Sequence, residues 1–462
     1  MSVVDVLQLG VLLAFLTVNG ANASSLVLAA RTLLVRERRQ SLLEESVLTR
    51  ASSYLPVSFI IPAYNEEATI VNSLTSLLAM HYPEFEVIVA NDGSKDGTLE
   101  ALRDAFGLVP AVPSPHRYTQ HAPVVGAWRS VQHPNLTIVD KANGGRADAL
   151  NAALEQARYP LVVAIDADSL VDPLALQRAG TRFLDAPTLM GLGGTIRVVN
   201  EAVIVDGAVK AAVTPRNFIA RWQMLEYTRA FVAARSAMSH IGCLISISGA
   251  FGLFRRSALM AVGGFRSDTV GEDLELTIRL HRYFRDRREP YKLEFMIDPV
   301  CWTQVPEARK DLRSQRDRWH RGLWETLWIH RRMLLNPRYG RIGMLALPYV
   351  WVVEGLSPVL EVIGYVMILV LAVTGRLDTP FAAAFLALAV LYGMLVGLGA
   401  AALDLTLPHS SKALKDRLRL LNAVVTETLW YRPWLAFVRV VAMFRIRSER
   451  GRWGQMTRKR FS

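Results

Sequence analysis

Hydrophobic positions along this chain fall into three regimes. Residues 6–30 form one nearly continuous apolar run, broken by Gln8, Thr17, Asn19, Asn22 and two serines and followed by Arg31, Arg36, Arg38 and Arg39. The run is long enough to span a bilayer, and its basic residues come after it. That predicts a transmembrane helix rather than a cleaved signal peptide. The positive-inside rule then puts the N-terminus outside and everything after Arg31 in the cytoplasm.

From Val57 the pattern changes to short β-rich runs alternating with helical ones, which predicts a doubly wound, mostly parallel α/β sheet. Strands are expected at 57–61, 86–90, 137–139 and 161–165, and each ends in polar residues. Helices are expected at 66–79, 147–157 and 173–183, a long amphipathic stretch around 218–238 and a helix from 272 to about 283. Residues 107–135, with five prolines, read as a loop insertion. In open parallel sheets ligands bind at the carboxyl ends of the strands, so the four strand-end loops are predicted to converge on one crevice.

The third regime begins after Arg341. Residues 342–373 are apolar but interrupted by Pro348, Glu354, Pro358 and Glu361, which predicts a short interfacial helix followed by a span from about 358 to 373. Residues 381–403 then return to the cytoplasm, where Lys412, Lys415, Arg417 and Arg419 lie. Residues 420–444 carry Glu427, Arg432, Pro433 and Arg439 and have basic residues at both ends, which fits an interfacial helix better than a fourth span. The organisation is therefore a transmembrane helix (1–35), a connector (36–55), a cytoplasmic domain (56–335), interfacial and transmembrane helices (336–410) and a basic tail (411–462).

Composition agrees with a membrane protein: 51% of the 462 residues are hydrophobic and mean hydropathy is +0.22. The net charge of +12 flanks hydrophobic segments and no nucleic-acid-binding motif accompanies it, so lipid and nucleotide phosphates are the expected partners rather than nucleic acid. With only Cys243 and Cys301 present, neither a disulfide framework nor a thiolate metal site is expected.

Three clusters carry candidate chemistry. Asp166 and Asp168 follow an apolar strand, and in extended chain they would project to one side and could share Mg2+ or Mn2+ bridging a diphosphate; ordinary turn chemistry is the alternative. Glu272 and Asp273 open a helix, where its dipole alone favours acids. Gln315, Arg318 and Trp319 stand at i, i+3 and i+4 on one helix face, a spacing that a solvated basic face or an interfacial tryptophan would also give. Glu354 and Glu361 line a polar passage if they face the bundle interior, and are caps or interfacial if they do not.

The order Pro62-Ala-Tyr-Asn-Glu-Glu67, Asn91-Asp-Gly-Ser-Lys-Asp96, Asp166-Ala-Asp168, Gly271-Glu-Asp273 and Gln315-Arg-Asp-Arg-Trp319 resembles the processive, membrane-integrated family 2 glycosyltransferases. These include the hyaluronan, cellulose, chitin and poly-N-acetylglucosamine synthases. The resemblance covers residues 56 to about 330, and the run from Lys141 to Ala152 with the few spans looks closest to bacterial poly-N-acetylglucosamine synthase-like enzymes. It implies a GT-A type sheet and an inverting, processive transfer from a UDP-sugar, with UDP-N-acetylglucosamine the best guess, to a growing polysaccharide.

Carried onto this sequence, the resemblance implies that Tyr64 and Asp92 hold the uracil, that Glu66 lies near the ribose and Asp166 by the nucleotide, and that Asp168 ligates Mg2+ or Mn2+ on the diphosphate. Asp273 would be the general base with Glu272 as its neighbour. Gln315 and Arg318 would contact the pyrophosphate and Trp319 would stack the acceptor sugar, while Lys141 and Arg316 count among the substrate-binding residues of the same motifs. It further implies a multi-pass protein of the bacterial inner membrane with a cytoplasmic catalytic domain, in contact with membrane lipids, and with a small membrane partner or a second copy to complete a channel. Two readings stand beside it: a nonprocessive enzyme adding one sugar to a lipid acceptor, and a non-catalytic nucleotide-sugar-binding assembly subunit. Gly271 departs from the family, which often has threonine there, and no gating-loop motif or cyclic-di-GMP-sensing domain is found. Residues 453–458 resemble the C-terminal Trp-Gly segment of hyaluronan-type enzymes.

Overall fold

The computed structural model describes residues 3–37, 54–114, 118–205 and 208–446. The connector 38–53 and the Trp-Gly segment at 453–458 lie outside the described residues. Helix α1 (Val3–Glu37) is followed by strand β1 (Val57–Ala63), helix α2 (Ile70–Leu78), β2 (Phe85–Asn91) and α3 (Thr98–Phe106). Next come β3 (Leu108–Ala111), β4 (Val124–Ser130), β5 (Leu136–Lys141), α4 (Arg146–Gln156), β6 (Leu161–Ile165), β7 (Ser169–Val171), α5 (Ala175–Asp185) and β8 (Leu189–Val198). Strands β9 (Val203–Val205) and β10 (Ala208–Ala211) pair with each other.

A helix over 218–240, α6, has a π-helical centre at Thr228–Arg235 and leads through β11 (Phe251–Arg255) and α7 (Arg256–Ala261) to α8 (Glu272–Arg287). Strand β12 (Lys292–Thr303) and helix α9 (Arg309–Ile329) complete the α/β part. Helices α10 (Ile342–Val373) and α11 (Thr379–Thr406) follow, and together with Gln8–Leu33 within α1 they are long and apolar enough to cross a membrane. Helix α12 spans 414–445.

The main sheet has the order β3-β4-β5-β2-β1-β6-β11-β8-β12-β7. Its centre, β5-β2-β1-β6, is parallel and packed on both faces, which is why those strands read as unbroken apolar runs. Seven of the ten strands run in one direction and β4, β11 and β7 run against it, so the sheet is mixed but mostly parallel, as expected.

Two expectations need correction. The proline-rich stretch is not merely a loop: β3 and β4 within it extend the sheet antiparallel from β5, with Pro110 on the edge strand and Pro113, Pro123 and Pro134 in loops. Residues 342–373 form one continuous helix with two π-helical turns, not an interfacial helix and a separate short span, because Pro348 and Pro358 each sit at the start of a helical segment following such a turn.

The α/β part and the long apolar helices share their packing. Ile278 of α8 and Leu323 and Leu327 of α9 form one apolar cluster with Ile342, Leu347 and Val350 of α10. Arg197 of β8 reaches the end of α11, donating to Asp404 Oδ1 at 3.0 Å and to the Pro408 carbonyl at 2.6 Å. Arg229 of α6 is ion-paired to Glu427 of α12.

Candidate active site

The four strand-end loops do converge. Asn65 adopts φ 55°, and its side-chain oxygen accepts from Lys95 N at 2.8 Å. The Glu66 amide donates to Thr98 Oγ1 at 2.9 Å, which ties the β1 and β2 loops together. Asp92 is the knot between the β2 and β5 loops. Its carboxylate accepts from Lys141 Nζ at 2.5 Å, Asn143 Nδ2 at 3.1 Å and the amides of Gly144 and Gly145 at 2.9 and 2.8 Å. Burial raises the Asp92 carboxyl above its ordinary value, and the hydrogen bonds and charge of Lys141 oppose that rise. Gly93 takes φ +63° with Asn143 N only 2.9 Å from where a Cβ would lie, so this junction admits no side chain.

Asp166 and Asp168 both line the resulting cavity, but not from extended chain. β6 ends at Ile165, and the Ser169 amide donates to the Asp166 carbonyl at 3.1 Å, so the Asp-x-Asp is a turn into β7. Asp168 is buried. One oxygen of Asp166 accepts from Arg146 Nε at 2.9 Å and Nη2 at 2.7 Å.

Arg146 is the residue that sequence reasoning missed as an individual, although it lay inside a quoted motif. At the first turn of α4, it also donates to Glu272 through Nη1 and to the Gly249 carbonyl at 2.8 Å through Nη2. One guanidinium therefore joins the Asp166 loop, the segment before β11 and the start of α8. Burial works against its charge, but the attraction of Asp166, Glu272 and Asp273 outweighs it and holds the group above its ordinary value. Burial likewise pushes the Glu272 carboxyl up, against the attraction of Arg146. Only its i+126 contact marks Arg146, and no sequence window contains that separation.

Asp273 follows Glu272 in the first turn of α8. Its Oδ2 accepts from the Gly249 amide at 2.9 Å and its Oδ1 from the Leu274 amide at 2.8 Å, which fixes the carboxylate at the cavity wall. Helix α9 crosses directly over this turn. Gly322 and Gly271 meet back to back: a Cβ on Gly322 would lie 2.8 Å from Gly271 N, and one on Gly271 would lie 3.0 Å from the Gly322 carbonyl carbon. Glycine at position 271 therefore has a packing reason.

The approach brings Gln315, Arg318 and Trp319 to the same cavity as Asp273. Gln315 Oε1 is buried without a hydrogen-bond partner. Burial lowers the Arg318 guanidinium, against the attraction of Glu272 and Asp166. Trp319 is 43% exposed, toward the cavity. Arg316 is drawn differently: it donates to Glu226 Oε2 at 2.8 Å and lies 4.1 Å from the Trp319 ring centre, beneath the tryptophan. Tyr64 is exposed at the mouth, and Glu66 is buried there with Oε2 accepting from Thr69 at 2.8 Å. Lys141 lies behind Asp92, bonded also to Asp148 at 2.6 Å.

The cavity, of about 2000 Å³, does not stop at the sheet. It continues past Asp273 between α1, α6, α10 and α12, where Asn19, Arg229, Arg235, Glu354, Glu361 and Arg439 line it. Glutamates 354 and 361 thus face the interior.

A crevice at parallel strand ends with paired aspartates, an acid at a helix start and a buried guanidinium beside them is an arrangement whose chemistry suits a phosphate-bearing ligand. Residues 161–396, half of the chain, match the glycosyl transferase family group 2 and residues 58–203 match glycosyl transferase family 2. The chain belongs to this glycosyltransferase family.

Curated relatives include the poly-beta-1,6-N-acetyl-D-glucosamine synthase of Staphylococcus epidermidis, 30% identical over 59% of this chain and 55% of that protein. The enzyme of the same name from Staphylococcus aureus is 29% identical over 59% of this chain and 55% of its own. The chain thus spans about half the length of the curated relatives it matches. Among solved structures, a mannosyltransferase from Pyrobaculum calidifontis aligns over 91% of this chain and 99% of its own with a TM-score of 0.48 and 21% identity.

Proposed function

We propose that this protein is an inverting, processive β-glycosyltransferase of a bacterial inner membrane. It transfers N-acetylglucosamine from its UDP-sugar to a growing polysaccharide on the cytoplasmic face and feeds the product between its own membrane helices. The observation that carries this reading is the continuous cavity that holds Asp166, Asp168, Asp273 and Trp319 at one end and runs between the apolar helices α1 and α10 and their neighbours α6 and α12 at the other.

The donor's uracil rests between Tyr64 and the Asp92 knot, with Glu66 toward the ribose and Asp166 toward the nucleotide. Gln315 and Arg318 contact the diphosphate, the first through the N–H groups of its side-chain amide and the second as a planar donor fork. Asp168, with Asp166 beside it, would hold Mg2+ or Mn2+, hard cations that take one or two carboxylates together with substrate phosphates. Such a cation would offset the negative charge that develops on the departing UDP.

Trp319 stacks the acceptor sugar above Asp273. Asp273 takes the proton of the acceptor hydroxyl, the freed oxygen forms a bond to the anomeric carbon, and the carbon–phosphate oxygen bond breaks with its electron pair leaving on UDP. Attack opposite the leaving group inverts an α-linked donor to a β-linkage.

The experiment is to incubate the full chain in nanodiscs with radiolabelled UDP-N-acetylglucosamine and size the product. Polymer of many units is expected, together with a loss of about 100-fold or more in UDP release for Asp273→Asn. One added sugar per acceptor overturns processivity. Unchanged UDP release in Asp273→Asn overturns the assignment of the base.

A further inference from the structure

Beyond Asp273, on the membrane side of the cavity, two oppositely charged side chains face the same space and are not joined to each other. Arg235, at the end of the π-helical segment of α6, lies 4.1 Å from the Phe231 ring centre and donates through Nη2 to Ser246 Oγ at 3.2 Å. Its Nη1 is buried and has no hydrogen-bond partner. Glu354 of α10 lines the cavity and accepts no hydrogen bond among the described residues. The two attract each other electrostatically, and Arg235 is attracted to Asp273 as well, yet no ion pair forms. Their charged ends are therefore not in contact, and both residues line the cavity.

The neighbouring charges behave otherwise. Arg229 is paired to Glu427, and Glu226 to Arg316 and Arg439, while Glu361 accepts from Tyr365 at 2.8 Å. A buried donor left without an acceptor is costly, so the unfilled Nη1 of an arginine that lines the cavity points to a bond made to something that enters.

We propose that Arg235 and Glu354 form an acceptor subsite that selects neutral, amide-bearing sugar units of the growing chain; the inference rests on the polymerase reading above. A guanidinium only donates and a carboxylate only accepts, so a ligand lying between them must offer an acceptor to one and a donor to the other. An acetamido sugar does this with its carbonyl oxygen toward Arg235 and an N–H or hydroxyl toward Glu354. A uronate satisfies Arg235 but meets like charge at Glu354. A free amino sugar satisfies Glu354 but meets like charge at Arg235. The pair rejects both by repulsion rather than by shape.

The test uses the full chain in nanodiscs with UDP-N-acetylglucosamine as donor and three short β-linked acceptors: N-acetylglucosamine oligomer, its deacetylated amine form and a uronate-containing oligomer. Wild type is expected to prefer the acetylated acceptor by about tenfold or more, the scale of a charged hydrogen bond. Arg235→Gln should raise the KM for the acetylated acceptor about tenfold and narrow its lead over the amine form. Glu354→Gln should narrow the lead over the uronate form. In both variants the KM for the donor should stay within about twofold, which reports an intact fold and donor site.

Variants that shift all three acceptors by one factor, or that move the donor KM instead, overturn the inference. A wild type that releases UDP without discriminating among the acceptors overturns the inference alone. A wild type that releases no UDP from this donor overturns the polymerase reading and the inference together.

Discussion

At the scale of single residues, Arg146 joins three separate segments of the site. It binds Asp166, Glu272 and the Gly249 carbonyl, and the Gly249 amide in turn binds Asp273. Removing one partner of a buried charge pair strands the other, at a cost of roughly 3–5 kcal/mol. Arg146→Gln is therefore expected to destabilise the α/β part by roughly 3 kcal/mol, and to abolish UDP release because Glu272 and Asp166 then repel one another. Thermal unfolding with a parallel activity assay checks this; a variant that melts like wild type would show that the three loops hold without it. The motif residues themselves were legible as candidates because the resemblance marks them by type and order: carboxylates, a guanidinium and an aromatic ring. Arg146 was not, since its value lies in contacts 20, 103 and 126 residues away.

At the scale of elements, the crossing of α8 and α9 sets the distance between the candidate base and the acceptor grip. It depends on two glycines in contact, Gly271 and Gly322. Gly322→Ala puts a methyl group 2.8 Å from backbone that has nowhere to go. In an isolated helix the change would gain about 1 kcal/mol of propensity, while overpacking costs about 1–3 kcal/mol, so stability should move little. Turnover should fall further, by about tenfold to 100-fold, because a displacement near 1 Å at a reacting centre costs on that order. UDP release alongside a melting curve separates the two effects. Full activity in Gly322→Ala would mean that the approach of the helices does not set the geometry. The helices were legible from their periodicity; their close crossing was not, because a glycine in an amphipathic pattern carries no record of what it lets past.

At the scale of the whole molecule, buried histidines tie stability to pH. Burial pushes His281 down to about 4 and His320 down to about 3. Both are built to be neutral: His281 bonds the Leu244 carbonyl at 2.6 Å and the Tyr291 hydroxyl at 2.7 Å, and His320 Nε2 accepts from Trp324 at 3.1 Å. An unfolded histidine protonates near pH 6.5, so below that the unfolded chain binds more protons than the folded one. Their stabilisation is full above about pH 6.5 and is lost progressively as pH falls toward the folded values. The melting temperature should drop between pH 7.5 and 5.5, and a His281→Gln, His320→Gln double variant should show a shallower drop; an equal slope would assign the acid sensitivity to other groups.

The sequence by itself determined the local things: three apolar runs able to cross a membrane, the parallel strands, and a set of side chains whose chemistry suits a sugar-nucleotide transfer. These follow from composition and period within a window of a few to about 20 residues. Tertiary structure alone decided that the Asp-x-Asp is a turn rather than extended chain and that β3 and β4 join the sheet. It also decided that Glu354 and Glu361 face a cavity continuous with the catalytic crevice. Each of these depends on contacts between residues distant in the chain, and such contacts are fixed only when the packed faces of sheet and helices choose their partners.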